Sequence, residues 1–201
     1  MTTEQETERY SLTQLAKLAI DFGFVPIPLK GKRPYLPRWQ QTTNQTSLRK
    51  IKDGEKTGTA DNIGILTGKP SGVVVVDVDV NKGGLDFWEE LISKNRLPKT
   101  FTLETGSGGL HYYFAYDETT QDLRNATAAI KKKGIDVKTT GGQVVFAGSI
   151  HPETGVMYDI IDGIDEETQE PIIAPMPSWL LQLLTSNQKE LDAKYPRKYL
   201  Q

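Results

Sequence analysis

The chain has no cysteine. That excludes disulfides, a cysteine nucleophile and any zinc site built on cysteine, and it is compatible with a cytoplasmic protein. Histidine is nearly as scarce: His111 and His151 are the two residues of that type, so imidazole chemistry must use one of them. No sign of charge dominates, because the formal net charge is −2. A nucleic-acid partner would therefore need a local basic surface rather than a basic chain. No apolar run approaches the ~18 residues of a membrane span. Residues 1–9 are polar and acidic, unlike a secretory signal, and are expected to be disordered. A length of 201 residues allows one substantial domain or two small modules sharing a core.

What is present in excess is a run of valines ending in two aspartates, Val73-Val74-Val75-Val76-Asp77-Val78-Asp79-Val80. Consecutive β-branched residues favour a buried strand. Side chains alternate along a strand, so Asp77 and Asp79 share a face, with Cα atoms roughly 6.5–7 Å apart. Two carboxylates aimed into one space repel, and a divalent cation supplies the missing partner.

Ser11 followed by Gln14 reads as a capping box, and Leu12, Leu15, Leu18, Ala19 and Phe22 have helical spacing, closed by Gly23. Residues 24–29 form a short strand, expected at an edge because it carries Pro26 and Pro28. A basic loop follows, with Lys30, Lys32, Arg33 and Arg38 around Tyr35 and Trp39. It could grip a phosphodiester backbone and stack on a base, or be a solvated loop with Trp39 tucked into the core. Residues 47–52 suggest a short helix, 62–66 a strand, 83–95 a helix with Leu85, Trp88, Leu91 and Ile92 inward. Short strands are expected at 100–104, 111–116, 135–138, 144–147 and 157–161, a polar stretch of loop with some helix over 117–133, and a helix over 178–185. The hairpin-like spacing after residue 100 argues against a doubly wound parallel sheet.

Three further stretches carry chemistry. Asp136 lies in the apolar strand Gly134-Ile135-Asp136-Val137-Lys138, and a third acid beside Asp77 and Asp79 would complete an oxygen cage for Mg²⁺ or Mn²⁺. Lys138, two residues on, shares its face. Gly106-Ser107-Gly108-Gly109 resembles a phosphate cradle, although a hairpin turn is the plainer reading; it lacks the third glycine and following helix of a dinucleotide fingerprint. Gly64–Pro70 likewise misses the Walker spacing. His111 and His151 each sit beside small donor residues, so the two imidazoles, Ser107, Ser149 and Lys138 together could bind a triphosphate.

Taken in order, Val76-Asp77-Val78-Asp79, then Gly109-Leu110-His111, then Ile135-Asp136 resemble the motifs of the archaeo-eukaryotic primase superfamily. The chain is more closely similar to its bifunctional primase-polymerase (prim-pol) domains from plasmid, phage and mobile-element replication proteins. Flanking matches are Pro28-Leu29-Lys30-Gly31-Lys32 with Pro34, Asn62-Ile63-Gly64-Ile65 with Thr67-Gly68, and Gly141-Gly142 leading to Ser149-Ile150-His151-Pro152. The resemblance spans about residues 10–185. It implies an α+β fold in which an N-terminal α/β module packs on an antiparallel sheet of RNA-recognition-motif type, with the active site between them. It implies that Asp77, Asp79 and Asp136 hold two catalytic Mg²⁺ or Mn²⁺ ions, and that His111 contacts the phosphates of a dNTP or NTP. Ser107, Gly108, Gly109, Lys138, Ser149 and His151 are expected near that nucleotide, and Lys30, Lys32, Arg33 and Arg38 near a single-stranded DNA template and primer. Residues 186–201 read as a charged tail or linker, with a fused or associated helicase as a plausible partner. Three features depart from the family pattern: the second acid is Asp79 where glutamate is common, Gly109 stands where serine is common, and a cysteine-type zinc element is absent.

Two other classes stay open on sequence. Sugar-nucleotide glycosyltransferases also place Asp-x-Asp at a strand end to bind Mn²⁺ and a diphosphate, though they give no reason for the later His111 and Asp136. A non-catalytic DNA-binding module of a replication protein would need no metal. A dehalogenase-type phosphatase is set aside, because Val80-Asn81 follows the acids where Gly-Thr would be wanted.

Overall fold

In the computed structural model, residues 10–130 and 134–194 are described; the disorder expected for residues 1–9 lies outside them. Ser11 opens the first helix, α1 (Leu12–Asp21), through a capping box in which its hydroxyl accepts from the Gln14 N–H and the Gln14 side chain accepts from the Ser11 N–H. Two orphan donors of the first turn are satisfied in this way. The remaining elements are β1 (Pro26–Lys30), β2 (Arg33–Pro34), α2 (Asn44–Thr57), β3 (Asn62–Leu66), β4 (Val73–Val78), α3 (Gly84–Lys94), β5 (Thr102–Glu104), β6 (Leu110–Ala115), β7 (Ala126–Ile130), β8 (Ile135–Lys138), β9 (Gln143–Val145), β10 (Asp159–Asp162) and α4 (Ser178–Lys194).

The strands form two sheets, a smaller one in the order β2-β1-β3-β9 and a larger one in the order β10-β5-β6-β4-β8-β7. Every pairing between named strands is antiparallel, as an α+β fold requires and a doubly wound sheet does not. The chain does not finish one sheet before starting the other: β9 returns from the larger half to pair with β3. That return ties the two modules together by backbone hydrogen bonds.

The valine run is buried on both faces because a separate hydrophobic core covers each face of β4. Val73 and Val75 pack with Leu15, Ile51, Ile63, Ile65, Phe101, Tyr113 and Phe146 in the core shared by the two sheets. Val74, Val76 and Val78 pack with Trp88, Phe114, Val137, Leu180 and Leu184 under α3 and α4. The face carrying the odd-numbered residues therefore looks toward the smaller sheet, and Asp77 continues it where the shared core ends.

Four expectations change. β1 is not the edge strand, since β2 flanks it; but β2 is two residues long and pairs with Leu29 and Lys30 alone, so the prolines occupy a length with a partner on one side. The helix expected over 47–52 is the longer α2, capped by Thr43 and closed by the left-handed Gly58. The helix expected to stop near 185 continues as α4 to Lys194, so the first part of the expected tail is helical. The polar stretch 117–133 contains β7, and its residues 131–133 lie outside the described ones. No helix among the described residues is long and apolar enough to cross a membrane.

Candidate active site

In the pairing of β4 with its two neighbours, Asp77 stands directly opposite Asp136 of β8 and directly opposite His111 of β6. Directly paired residues of an antiparallel sheet share a face, with Cβ atoms ~4.5–5.5 Å apart. Three side chains remote in sequence thus form one row across three strands. Asp79 follows in extended backbone and keeps the alternation. Its position is fixed from both sides: its N–H donates to the Gly134 carbonyl at 2.7 Å, and its carbonyl accepts from the Gly84 N–H at 2.9 Å. A Cβ on Gly84 would run into the Gly134 carbonyl oxygen, and one on Gly134 into the Gly84 nitrogen. Glycine at both places lets the start of β8 approach the end of β4, and so brings Asp136 beside the other two acids.

Asp136 is the most enclosed acid, its side chain 8% exposed against 24% for Asp77 and 25% for Asp79. Lys138 Nζ donates to Asp136 Oδ2 at 3.2 Å, and Lys82 Nζ lies 2.6 Å from Asp79 Oδ2. Among the described residues, no three acid or histidine side chains are closed into a coordination cluster, since Asp79 and Asp136 are each turned to a lysine. All three carboxylates nevertheless act on one cation: the Lys82 ammonium is held protonated, first by its hydrogen bond to Asp79 and then by the charges of Asp136, Asp79 and Asp77, against partial desolvation. Three carboxylates of this kind supply the oxygen donors that suit Mg²⁺ or Mn²⁺.

His111 is buried, with Nε2 3.5 Å from Asp77 Oδ1. Its Nδ1 is enclosed and has no partner among the described residues. Burial pushes its pKa down; the Asp77 charge opposes that and the Lys138 charge adds to it. Nε2 is the ring atom left to address the cleft.

That cleft runs between the acidic row and the opposite wall, and is lined by Asp77, Asp79, Ser107, His111, Lys138, Lys32, Gln143, His151 and Tyr158, among others. Lys32 belongs here rather than with the rest of its loop: its Nζ is 3.1 Å from His151 Nε2 and 3.9 Å from Glu153 Oε1. His151 Nδ1 accepts the backbone N–H groups of Glu153 and Thr154, each at 3.3 Å. If Nδ1 accepts, the proton lies on Nε2, and Nε2 and the Lys32 ammonium present donors to one point. Such a pair suits an anionic oxygen. Burial and the Lys32 charge both lower the His151 pKa.

The structure separates the other residues singled out from sequence. Ser149 does not line the cleft. Its hydroxyl accepts from the Ile63 N–H at 3.1 Å and donates to the Ile63 carbonyl at 3.0 Å, extending β3 by one side-chain rung. The glycine stretch is the plainer of its two readings, a hairpin turn between β5 and β6. The Gly108 N–H is spent on the Thr105 carbonyl, and the Gly109 N–H on Thr105 Oγ1. Those two donors are consumed within the turn, and Thr105 and Ser107 are what the loop contributes to the lining of the cleft. Serine would not fit in place of Gly109, because a Cβ there meets the Val78 carbonyl oxygen. Of the basic loop, Lys30 pairs with Asp61 at 3.1 Å, Arg33 and Arg38 are exposed, and Trp39 packs against the outer core of the smaller sheet.

Sequence reasoning names Asn62 as part of a flanking family match without a role in the site, and passes over Gln143 and Tyr158. Asn62 Nδ2 donates to the Gly31 and Ile150 carbonyls, and its Oδ1 accepts from the Ile150 N–H. It thereby fastens the Lys32 turn to the segment bearing His151. Gln143 Nε2 donates to the Lys32 carbonyl at 3.1 Å. Tyr158 stands between the two imidazoles, with ring centroids 6.1 Å from His111 and 6.0 Å from His151. No local pattern marks an asparagine or a tyrosine as part of a site; their roles come mostly from partners remote in the chain, as in the pairing of Asn62 with Ile150 and of Gln143 with Lys32.

Comparison with curated protein sequences finds no match. Among solved structures, the polymerase domain of Mycobacterium tuberculosis ligase D in complex with DNA superposes with a TM-score of 0.40 at 12% identity, covering 98% of this chain and 99% of that one. A family model described as bifunctional DNA primase/polymerase, N-terminal, matches residues 15–179. Running from α1 into α4 and taking in all three acids and both histidines, that match shows that the chain belongs to the bifunctional DNA primase/polymerase family.

Proposed function

We propose that this chain is a DNA primase/polymerase that joins nucleotides on a single-stranded DNA template in a metal-dependent nucleotidyl transfer. The observation that carries the reading is the row Asp136–Asp77–His111 across three strands, in a chain of this family. Asp77, Asp79 and Asp136 would hold Mg²⁺ or Mn²⁺. When bound, such ions lower the pKa of an attacking hydroxyl and neutralise a leaving pyrophosphate.

The chain's own groups do the rest. His111 Nε2, Lys138 and Ser107 line the side of the cleft next to the acids and would receive the phosphates nearest the reacting centre. Lys32 and His151 form the far wall, where their paired donors would hold the terminal phosphate. The Asn62 and Gln143 hydrogen bonds keep that wall in place, which orients the triphosphate before reaction. Arg33 and Arg38 are exposed on the same loop and would meet the template backbone. Service in the replication of a plasmid, phage or mobile element, beside a helicase, is part of the same proposal.

The experiment is nucleotide incorporation on single-stranded template, with and without primer, with each nucleotide type and with Mg²⁺ or Mn²⁺. Incorporation that depends on metal and is lost in Asp77→Ala, Asp79→Ala supports the reading. Template binding without incorporation would favour a binding module instead.

A further inference from the structure

Lys82 occupies the oxygen that the acidic row would offer to a metal. It sits in the short 3-10 turn Val80–Lys82 directly after the valine strand. The turn does not need it: the capping bond runs from the Asn81 N–H to Asp79 Oδ1 at 3.0 Å. The other carboxylate oxygen, Oδ2, is the one that Lys82 holds at 2.6 Å. The Lys82 side chain is 51% exposed, so the pair adds little to stability and the chain is free to swing out. Lys138 differs, since it lies within β8, donates to Asp136 and forms part of the cleft wall.

We infer that Lys82 is a built-in competing cation that sets how much divalent metal the acidic row requires. The inference rests on the metal-dependent reading above. A ligand for Asp79 Oδ2 must displace the ammonium, and a divalent ion near the row must also work against its positive charge. Asp136 and Asp77 act on the same ammonium, so its departure changes the field at all three acids and not at Asp79 alone. Lys82 is thus a positioning residue that acts through the carboxylates.

The test is Mn²⁺ binding to the full chain by electron paramagnetic resonance, without nucleotide, for wild type, Lys82→Met and Lys82→Arg. The expected result is Mn²⁺ affinity about three- to tenfold tighter in Lys82→Met, with Lys82→Arg within about twofold of wild type because it keeps the charge. Equal or weaker binding by a folded Lys82→Met overturns the inference. Should that variant fail to fold, amine acylation of wild type read by mass spectrometry serves in its place. Mg²⁺ should speed modification of Lys82 but not of Lys94, which pairs with Glu90 outside the site; no acceleration overturns the inference. Mn²⁺ binding that is lost in Asp77→Asn yet indifferent to Lys82 overturns this inference alone. Binding unaffected by Asp77→Asn overturns the metal reading with it.

Discussion

Asp77 and Asp136 are direct partners in the antiparallel pairing of β4 with β8. Fifty-nine residues of sequence separate them (136 − 77), and register alone makes them neighbours. Two carboxylates so placed gain nothing from each other, and the proposed metal would supply the partner that both lack.

Metal binding should therefore stabilise the fold. Mg²⁺ or Mn²⁺ at saturating concentration should raise the melting temperature of the wild type, because binding to the native state alone adds to its stability by mass action. The rise should vanish in Asp77→Asn. Thermal unfolding scans with and without EDTA check this, and an equal rise in both proteins would contradict a site at Asp77.

Asn62 should matter in two ways. Its amide makes three hydrogen bonds to the Gly31 and Ile150 backbone, and it is buried. Asn62→Ala should cost about 1–3 kcal/mol of stability by leaving those groups unsatisfied. It should also raise KM for nucleotide more than it lowers kcat, since it loosens the Lys32–His151 wall and not the acidic row. Denaturant unfolding and steady-state kinetics measure the two effects separately. A pure stability loss with unchanged KM would remove Lys32 and His151 from the nucleotide site.

Gly109→Ser tests whether the missing family serine can be restored. The new Cβ would meet the Val78 carbonyl oxygen, so the substitution should cost about 1–3 kcal/mol of stability through overpacking and should not improve incorporation. A stable and faster Gly109→Ser protein would show that the β5–β6 hairpin can shift to admit it.

Acid should weaken the fold in part through His151. Burial and the Lys32 charge place its pKa below the ordinary value of 6.5. As pH falls below about 6.5 the unfolded chain takes up a proton before the folded one, so the stability present above that pH is lost progressively on the acid side. In EDTA, the fall of melting temperature between about pH 7 and pH 5 should be shallower in His151→Asn. It should not disappear, since burial lowers the His111 pKa as well. An unchanged slope would mean that His151 is not held neutral by its surroundings.

What the sequence disclosed and what it hid follow one physical division. The valine strand, the shared face of Asp77 and Asp79, and the capping box at Ser11 are local and depend on residues within a few positions of each other. Those features are legible. The meeting of Asp136 with Asp77 is a matter of non-local register; a lone carboxylate in an apolar strand and the family motifs suggest it, and periodicity does not. Lys32 reads as one basic residue among four until Asn62 and Gln143 draw its turn to His151. Ser149 reads as a phosphate donor because it precedes a histidine, but β3 needs its hydroxyl to satisfy Ile63. The glycine stretch reads as a cradle from composition, while the Gly108 and Gly109 N–H groups are consumed in the hairpin. Residue type names a capability, and the competing backbone decides whether it is free to be used.

The most direct test is incorporation of labelled nucleotide on a primed single-stranded template by Asp136→Asn, with its melting temperature measured alongside. Asp136 is the acid farthest in sequence from the other two and the one that register brings to them. A folded protein whose incorporation falls at least about 100-fold is the expected result. Near-wild-type incorporation by that variant would contradict the account.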